Sequence, residues 1–111
     1  MATSSQLPAA LPVALLELAE YQDGAVVSRI LLKRGGSTVT LFAFDEGQSL
    51  SEHTTPVDAI AHVVEGTALI TITGAALTVS AGHMVMLPAN QPHAVLAATR
   101  FKMLLMMLKP A

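Results

Sequence analysis

The sequence predicts an all-β domain, a sandwich or barrel of short antiparallel strands. Aliphatic and β-branched runs of five to nine residues recur from residue 25 onward. Each run is closed by a turn that carries glycine or proline, and the turns recur at roughly 8–12-residue spacing, as in β-sandwiches and barrels. Several runs are also apolar at odd and even positions alike, which marks strands buried on both faces.

The elements follow in order. VVSRILL (26–32) is β-branched and stops at Gly35-Gly36, where positive φ is available for a turn. STVTLFAFD (37–45) is closed by Glu46-Gly47, and DAIAHVV (58–64) by Glu65-Gly66. TALITIT (67–73) stops at Gly74, ALTVS (76–80) at Ala81-Gly82, and MVMLP (84–88) at its own proline. HAVLA (93–97) and RFKMLLMML (100–108) bring the count to eight strands. VALLELAEY (13–21) has the Leu, Ala and Glu content of a helix, with an edge strand as the alternative. In the last strand Phe101, Met103, Leu105 and Met107 share one side, and Leu104, Met106 and Leu108 share the other. One side belongs in a core; the other needs a second layer or a second subunit, so a homodimer is expected.

Composition bounds the rest. The chain has 111 residues, enough for a single core: a flexible stretch over residues 1–10 is expected, then one barrel domain over 11–111. Hydrophobic residues make up 52% and charged residues 13%, against roughly a quarter charged in ordinary soluble domains. The net charge of −2 with scattered Lys and Arg gives no basic patch, so no nucleic-acid partner is expected. The absence of cysteine excludes disulfides and thiolate-bound zinc. Pro8 and Pro12 interrupt the apolar N-terminal stretch, which also lacks a basic leader. No run reaches the ~18 apolar residues of a membrane helix. A soluble cytoplasmic protein without a membrane partner is the expectation.

The residues that bear chemistry lie in two stretches. The first runs from Gly47 through QSLSE to His53, then Thr55, Ala59 and Gly66. The second runs from Gly82 through HMVML to Pro88, then Asn90, His93 and Ala97. This pattern resembles the two motifs of the cupin superfamily, G-x5-H-x-H-x3-E-x6-G and G-x5-P-x-G-x2-H-x3-N. Thr55 stands at the second histidine and Ala59 at the glutamate of the first motif. Asn90 replaces a glycine in the second, a mild change because Asn tolerates the left-handed conformation. The resemblance implies a small six- to eight-stranded jelly-roll-like barrel, commonly dimeric, that holds a divalent metal in its lumen. It carries two ligands over to this chain, His53 and His93.

Two imidazoles fall short of the three ligands of a catalytic zinc, or the two histidines and a carboxylate of non-haem iron. Glu52 and Asp58 point the wrong way by strand alternation, and Glu65 lies too far along. His62 should also face outward, unless a β-bulge turns it into the lumen to complete the site. His83, at a turn, is expected on the surface. Thr55, Ala59 and Ala61 are small and inward by parity, so the lumen is either an apolar ligand pocket walled by two imidazoles or a core filled by Met84, Met86 or Met103. Thioethers suit Cu(I), but Met84, Met86, Met103, Met106 and Met107 lie in apolar strands where core or interface filling accounts for them. The expected function is small-molecule binding in the lumen with a reduced, histidine-only metal site for Zn, Ni, Cu or Fe. The alternative is a metal-dependent oxygenase- or isomerase-type enzyme, and a metal-free acid–base role for the two histidines is a third reading.

Overall fold

A computed structural model describes residues 6–110. Nine strands form among them: β1 Val26–Arg34, β2 Ser37–Phe44, β3 Ser49–His53, β4 Asp58–Glu65, β5 Thr67–Ile72, β6 Ala75–Ser80, β7 Met84–Leu87, β8 His93–Ala97 and β9 Phe101–Leu108. They make two antiparallel sheets, a five-stranded one in the order β1-β2-β9-β4-β7 and a four-stranded one in the order β3-β8-β5-β6. The two sheets enclose one core, the jelly-roll arrangement.

Alternation explains the core. Phe44, Ala59, Ala61, Val63, Phe101 and Met103 point inward from the larger sheet; Ala68, Ile70, Val79, Val95 and Ala97 meet them from the smaller. The Phe44 and Phe101 rings stack with centroids 4.5 Å apart. β9 lies in the middle of its sheet, paired with β2 through Phe42↔Met103 and with β4 through Val63↔Met103. Its other side carries Leu104, which packs with Leu41, Ala43 and Leu31 in a second cluster outside the barrel.

The layer over that second cluster comes from the same chain. Leu15, Leu18, Ala19 and Tyr21 pack onto it, so residues 15–21 form a strap across the outer face of the larger sheet. The helix or edge strand expected over 13–21 is not what forms: the segment holds only a 3-10 turn, Leu15–Glu17. Its apolar side chains are used to cover a sheet, and a coat that follows a twisted surface does not require regular structure. A set of polar contacts fastens the strap. Buried Lys102 donates to the Leu16 carbonyl at 2.5 Å and lies 4.8 Å from the Tyr21 ring centroid. Tyr21 donates to Glu65 at 2.6 Å; burial, with the Glu65 acceptor, holds the phenol well above its ordinary pKa. Arg100 pairs with Asp23 and Asp45 at 2.6 and 2.8 Å. The backbone N–H of Gly24, with Arg100, lowers the Asp45 pKa.

Of the expected flexible stretch over 1–10, residues 1–5 lie outside the described residues. The Leu7 N–H donates to the Leu31 carbonyl at 2.8 Å. β3 adds a strand to the eight expected: Ser-Leu-Ser-Glu-His has one aliphatic residue, and it forms because β8 offers an edge, with Leu50 paired to Val95. No helix among the described residues is long and apolar enough to cross a membrane.

Gly66 joins β4 to β5 at φ +75°, and a Cβ there would fall on the Arg100 carbonyl oxygen and 2.8 Å from the Phe101 Cβ. Gly66→Ala is expected to destabilise the fold by at least about 2 kcal/mol in urea denaturation, since strained backbone and a clash with backbone add together. Lys102→Ala, which removes the strap's buried anchor, is expected to cost about 2 kcal/mol by the same measurement.

Candidate functional site

β8 carries His93, Val95 and Ala97 inward, and β3 runs beside it as an edge strand. The register pairs His53 directly with His93, after an irregularity between Leu50 and His53. The rings meet edge to face with centroids 4.4 Å apart. His93 is only 5% exposed, whereas His53 opens to solvent. On its other side His93 pairs with Ile72, which packs on the core, so the two imidazoles form the polar margin of an apolar interior.

Hydrogen bonds orient both rings. The Nδ1 of His53 lies 2.7 Å from the Ser51 carbonyl oxygen, and that of His93 lies 3.2 Å from the Gln91 carbonyl oxygen. A carbonyl can only accept, so each Nδ1 carries the hydrogen, and in the neutral ring each Nε2 keeps its lone pair. Both free lone pairs are thus available to a cation or to a hydrogen-bond donor. Burial lowers the pKa of His93, and the neighbouring His53 adds to this, while the Gln91 carbonyl opposes it.

The two motif turns are tied together. The Asn90 N–H donates to the Thr55 carbonyl at 2.7 Å, and Asn90 takes φ +65°, the left-handed conformation expected where the motif has glycine. Thr55 turns its hydroxyl onto the Val57 carbonyl at 3.1 Å. Ala59 and Ala61 point inward and are buried in the core cluster. Their cross-strand partners on β9, Met107 and Leu105, pack against that cluster, and Met103 lies within it. Of the methionines expected as lumen filling, Met103 is in the core. Met84 and Met86 are not: they are 58% and 54% exposed, because the inward residues of β7 are Val85 and Leu87.

His62 lies on the side of β4 opposite to Ala59, Ala61 and Val63. The irregularity of β4 falls between Val63 and Glu65, past His62, so alternation is not reversed there. The structure therefore brings His53 and His93 together and leaves His62 on the outer face. Asp58 accepts the Ala89 N–H at 2.8 Å, and Glu65 holds Tyr21. His83 is exposed. Among the described residues, no group of three or more His, Cys, Asp or Glu is arranged to hold a metal. The donor set, two neutral imidazoles without a carboxylate, does not fit the full ligand sphere that a resident divalent metal needs.

Comparison with known proteins agrees with the fold. The family model described as "Cupin domain" matches residues 40–108. A conserved protein of unknown function from Streptococcus pyogenes is 32% identical, with 95% of this chain and 92% of that one covered and a TM-score of 0.89. A cupin superfamily protein from Desulfitobacterium hafniense is 31% identical, with 94% and 95% covered and a TM-score of 0.87. A cupin 2 conserved barrel domain protein from Leptotrichia buccalis is 38% identical over 85% of this chain and 46% of that one, with a TM-score of 0.81. The curated proteins contain no significant match.

His93 resists protonation in the fold, so the unfolded chain binds the proton more readily. Stability linked to this group is fully present above the ordinary histidine value of about 6.5 and is lost as pH falls below it towards the depressed folded value. Thermal denaturation is expected to show a falling midpoint in that window, and His93→Gln should flatten it.

Proposed function

This chain belongs to the cupin domain family, and on that premise we propose that it binds a small organic molecule at the His53–His93 margin of its barrel, with any divalent metal held there weakly by those two imidazoles alone. The observation that carries the reading is the cross-strand pair with both Nδ1 atoms committed to backbone carbonyls and both Nε2 atoms free. Neutral Nε2 atoms accept hydrogen bonds from ligand hydroxyl or N–H groups, and a proton shared by the pair would attract a carboxylate. The buried walls beneath are aliphatic and aromatic, which suits a ligand with an apolar body and one polar end. Thr55, Ala59, Ala61 and His62 were the pocket residues expected from sequence. In this reading Thr55 stands at the margin, Ala59 and Ala61 lie in the packed core beneath it, and His62 stands apart from it.

Two neutral donors leave the charge of a divalent ion uncompensated beside an apolar core, which weakens iron most and zinc, nickel or copper less. The alternative, a metal-dependent enzyme of oxygenase or isomerase type, requires the substrate itself to complete the ligand sphere. We further propose a cytoplasmic homodimer. Leu7, Leu11, Val13, Leu16 and Leu32, on the N-terminal segment and β1, are each 40–60% exposed, apolar area that a second subunit would cover.

Plasma mass spectrometry and metal titration test this reading. Wild-type protein is expected to leave purification well below one equivalent of transition metal and to take up zinc or nickel with a dissociation constant in the micromolar range or weaker. His53→Ala and His93→Ala should each abolish that uptake. One equivalent retained through dialysis would overturn the weak-site reading in favour of the metalloenzyme. In parallel, imidazole resonances of His53 and His93 should shift with bound small hydroxy or carboxylic acids; a screen that moves neither removes the ligand-binding reading.

A further inference from the structure

The chain has four histidines, and three tie Nδ1 to a backbone carbonyl: His53 to Ser51, His83 to Ser80 and His93 to Gln91. His62 differs. Among the described residues, no hydrogen bond or ion pair engages its ring. It is half-buried on the outer face of the larger sheet, in register with Met84 on β7 and Leu104 on β9. Met86 follows Met84 by two residues, lies opposite Ile60, and so presents its thioether on the same face as His62. Val85, between the two methionines, turns into the core.

We propose that His62, Met84 and Met86 form a binding site for a soft monovalent d10 cation, Cu(I), with Ag(I) as its inert mimic. Reach permits it. Residues directly opposite across antiparallel strands hold their Cβ atoms about 4.5–5.5 Å apart, and diagonal neighbours about 7–8 Å apart. Three flexible torsions let each methionine swing its sulfur toward the imidazole. Softness selects the ion: thioethers favour Cu(I), and imidazole accepts it. Charge selects it again, because three neutral donors carry no negative charge to offset a divalent ion, whereas a monovalent ion on an exposed face keeps access to water. The neighbours on this face, Ile60 and Leu104, are apolar, and Met106 across Ile60 supplies one further thioether. No cysteine is present to draw the metal elsewhere. The site is separate from the His53–His93 pair, which belongs to the other sheet.

The test is anaerobic titration of the full chain with Cu(I) against a chromophoric Cu(I) chelator, repeated with Ag(I) by native mass spectrometry. Wild type should hold one equivalent in competition with the chelator, and His53→Ala and His93→Ala, which remove only the weaker pair, should hold the same. Met84→Leu with Met86→Leu, which keeps the apolar volume, should lower affinity at least about tenfold, as should His62→Phe. A wild type no better than the double leucine variant overturns the proposal, as does binding lost in the His53 or His93 variants instead. Sedimentation of Met84→Glu with Met86→Glu gives a further check. A wild-type oligomer broken by that pair, with no Cu(I) uptake, would make this face a subunit contact and overturn the site.

Discussion

The structure depends on a sheet that is apolar on both sides. β9 occupies its centre and sends Phe101 and Met103 to the core and Leu104 to the outer cluster, so neither face of the sheet can be left to water. The four-stranded sheet covers the first face. The strap covers part of the second, and its attachment through Lys102, Tyr21 and Arg100 follows from that need. A buried ammonium is costly unless it is satisfied. Here the Leu16 carbonyl and the Tyr21 ring satisfy it, so the same contact that keeps Lys102 tolerable also holds the strap in place.

The histidine pair has its geometry set by the backbone ladder. Because His53 and His93 face one another across paired strands, their separation is fixed by strand spacing and does not need a metal to draw them together. The Asn90–Thr55 hydrogen bond joins the two turns that follow and precede these histidines. With Ala59 in the core at 3% exposure, the position that the family motif reserves for a carboxylate contributes packing instead. Among the described residues, the donor set at this margin therefore consists of two imidazoles with no carboxylate beside them.

Much of this was legible in the chain, and the parts that were not have physical reasons. Turn residues such as Gly66, Gly74 and Gly82 bounded the strands because left-handed backbone leaves a compositional mark. β3 left none: it pairs through backbone groups, and only Leu50 of its residues packs on the core. The strap read as a helix or an edge strand because its Leu, Ala and Glu content favours regular structure locally, whereas burial of Leu15, Leu18 and Ala19 against the sheet decided its path. His53 and His93 were found by motif spacing, and alternation put His62 on the outer face. The exposure of Met84 and Met86 was hidden, since MVMLP is apolar at every position and only the pairing of β7 with β4 shows which side faces the core.

The place of β9 in the sheet has a consequence for how the fold is reached. The strand over 101–108 is the one inserted between β2 and β4, so the five-stranded sheet and the Lys102 anchor of the N-terminal strap are completed only when residues 101–108 arrive. Until then β2 and β4 each present an unpaired edge, and strap residues near position 16 must wait for a partner at position 102. Folding is accordingly a late, chain-wide event with slow loop closure, and the incomplete chain is the form most exposed to pairing with its neighbours.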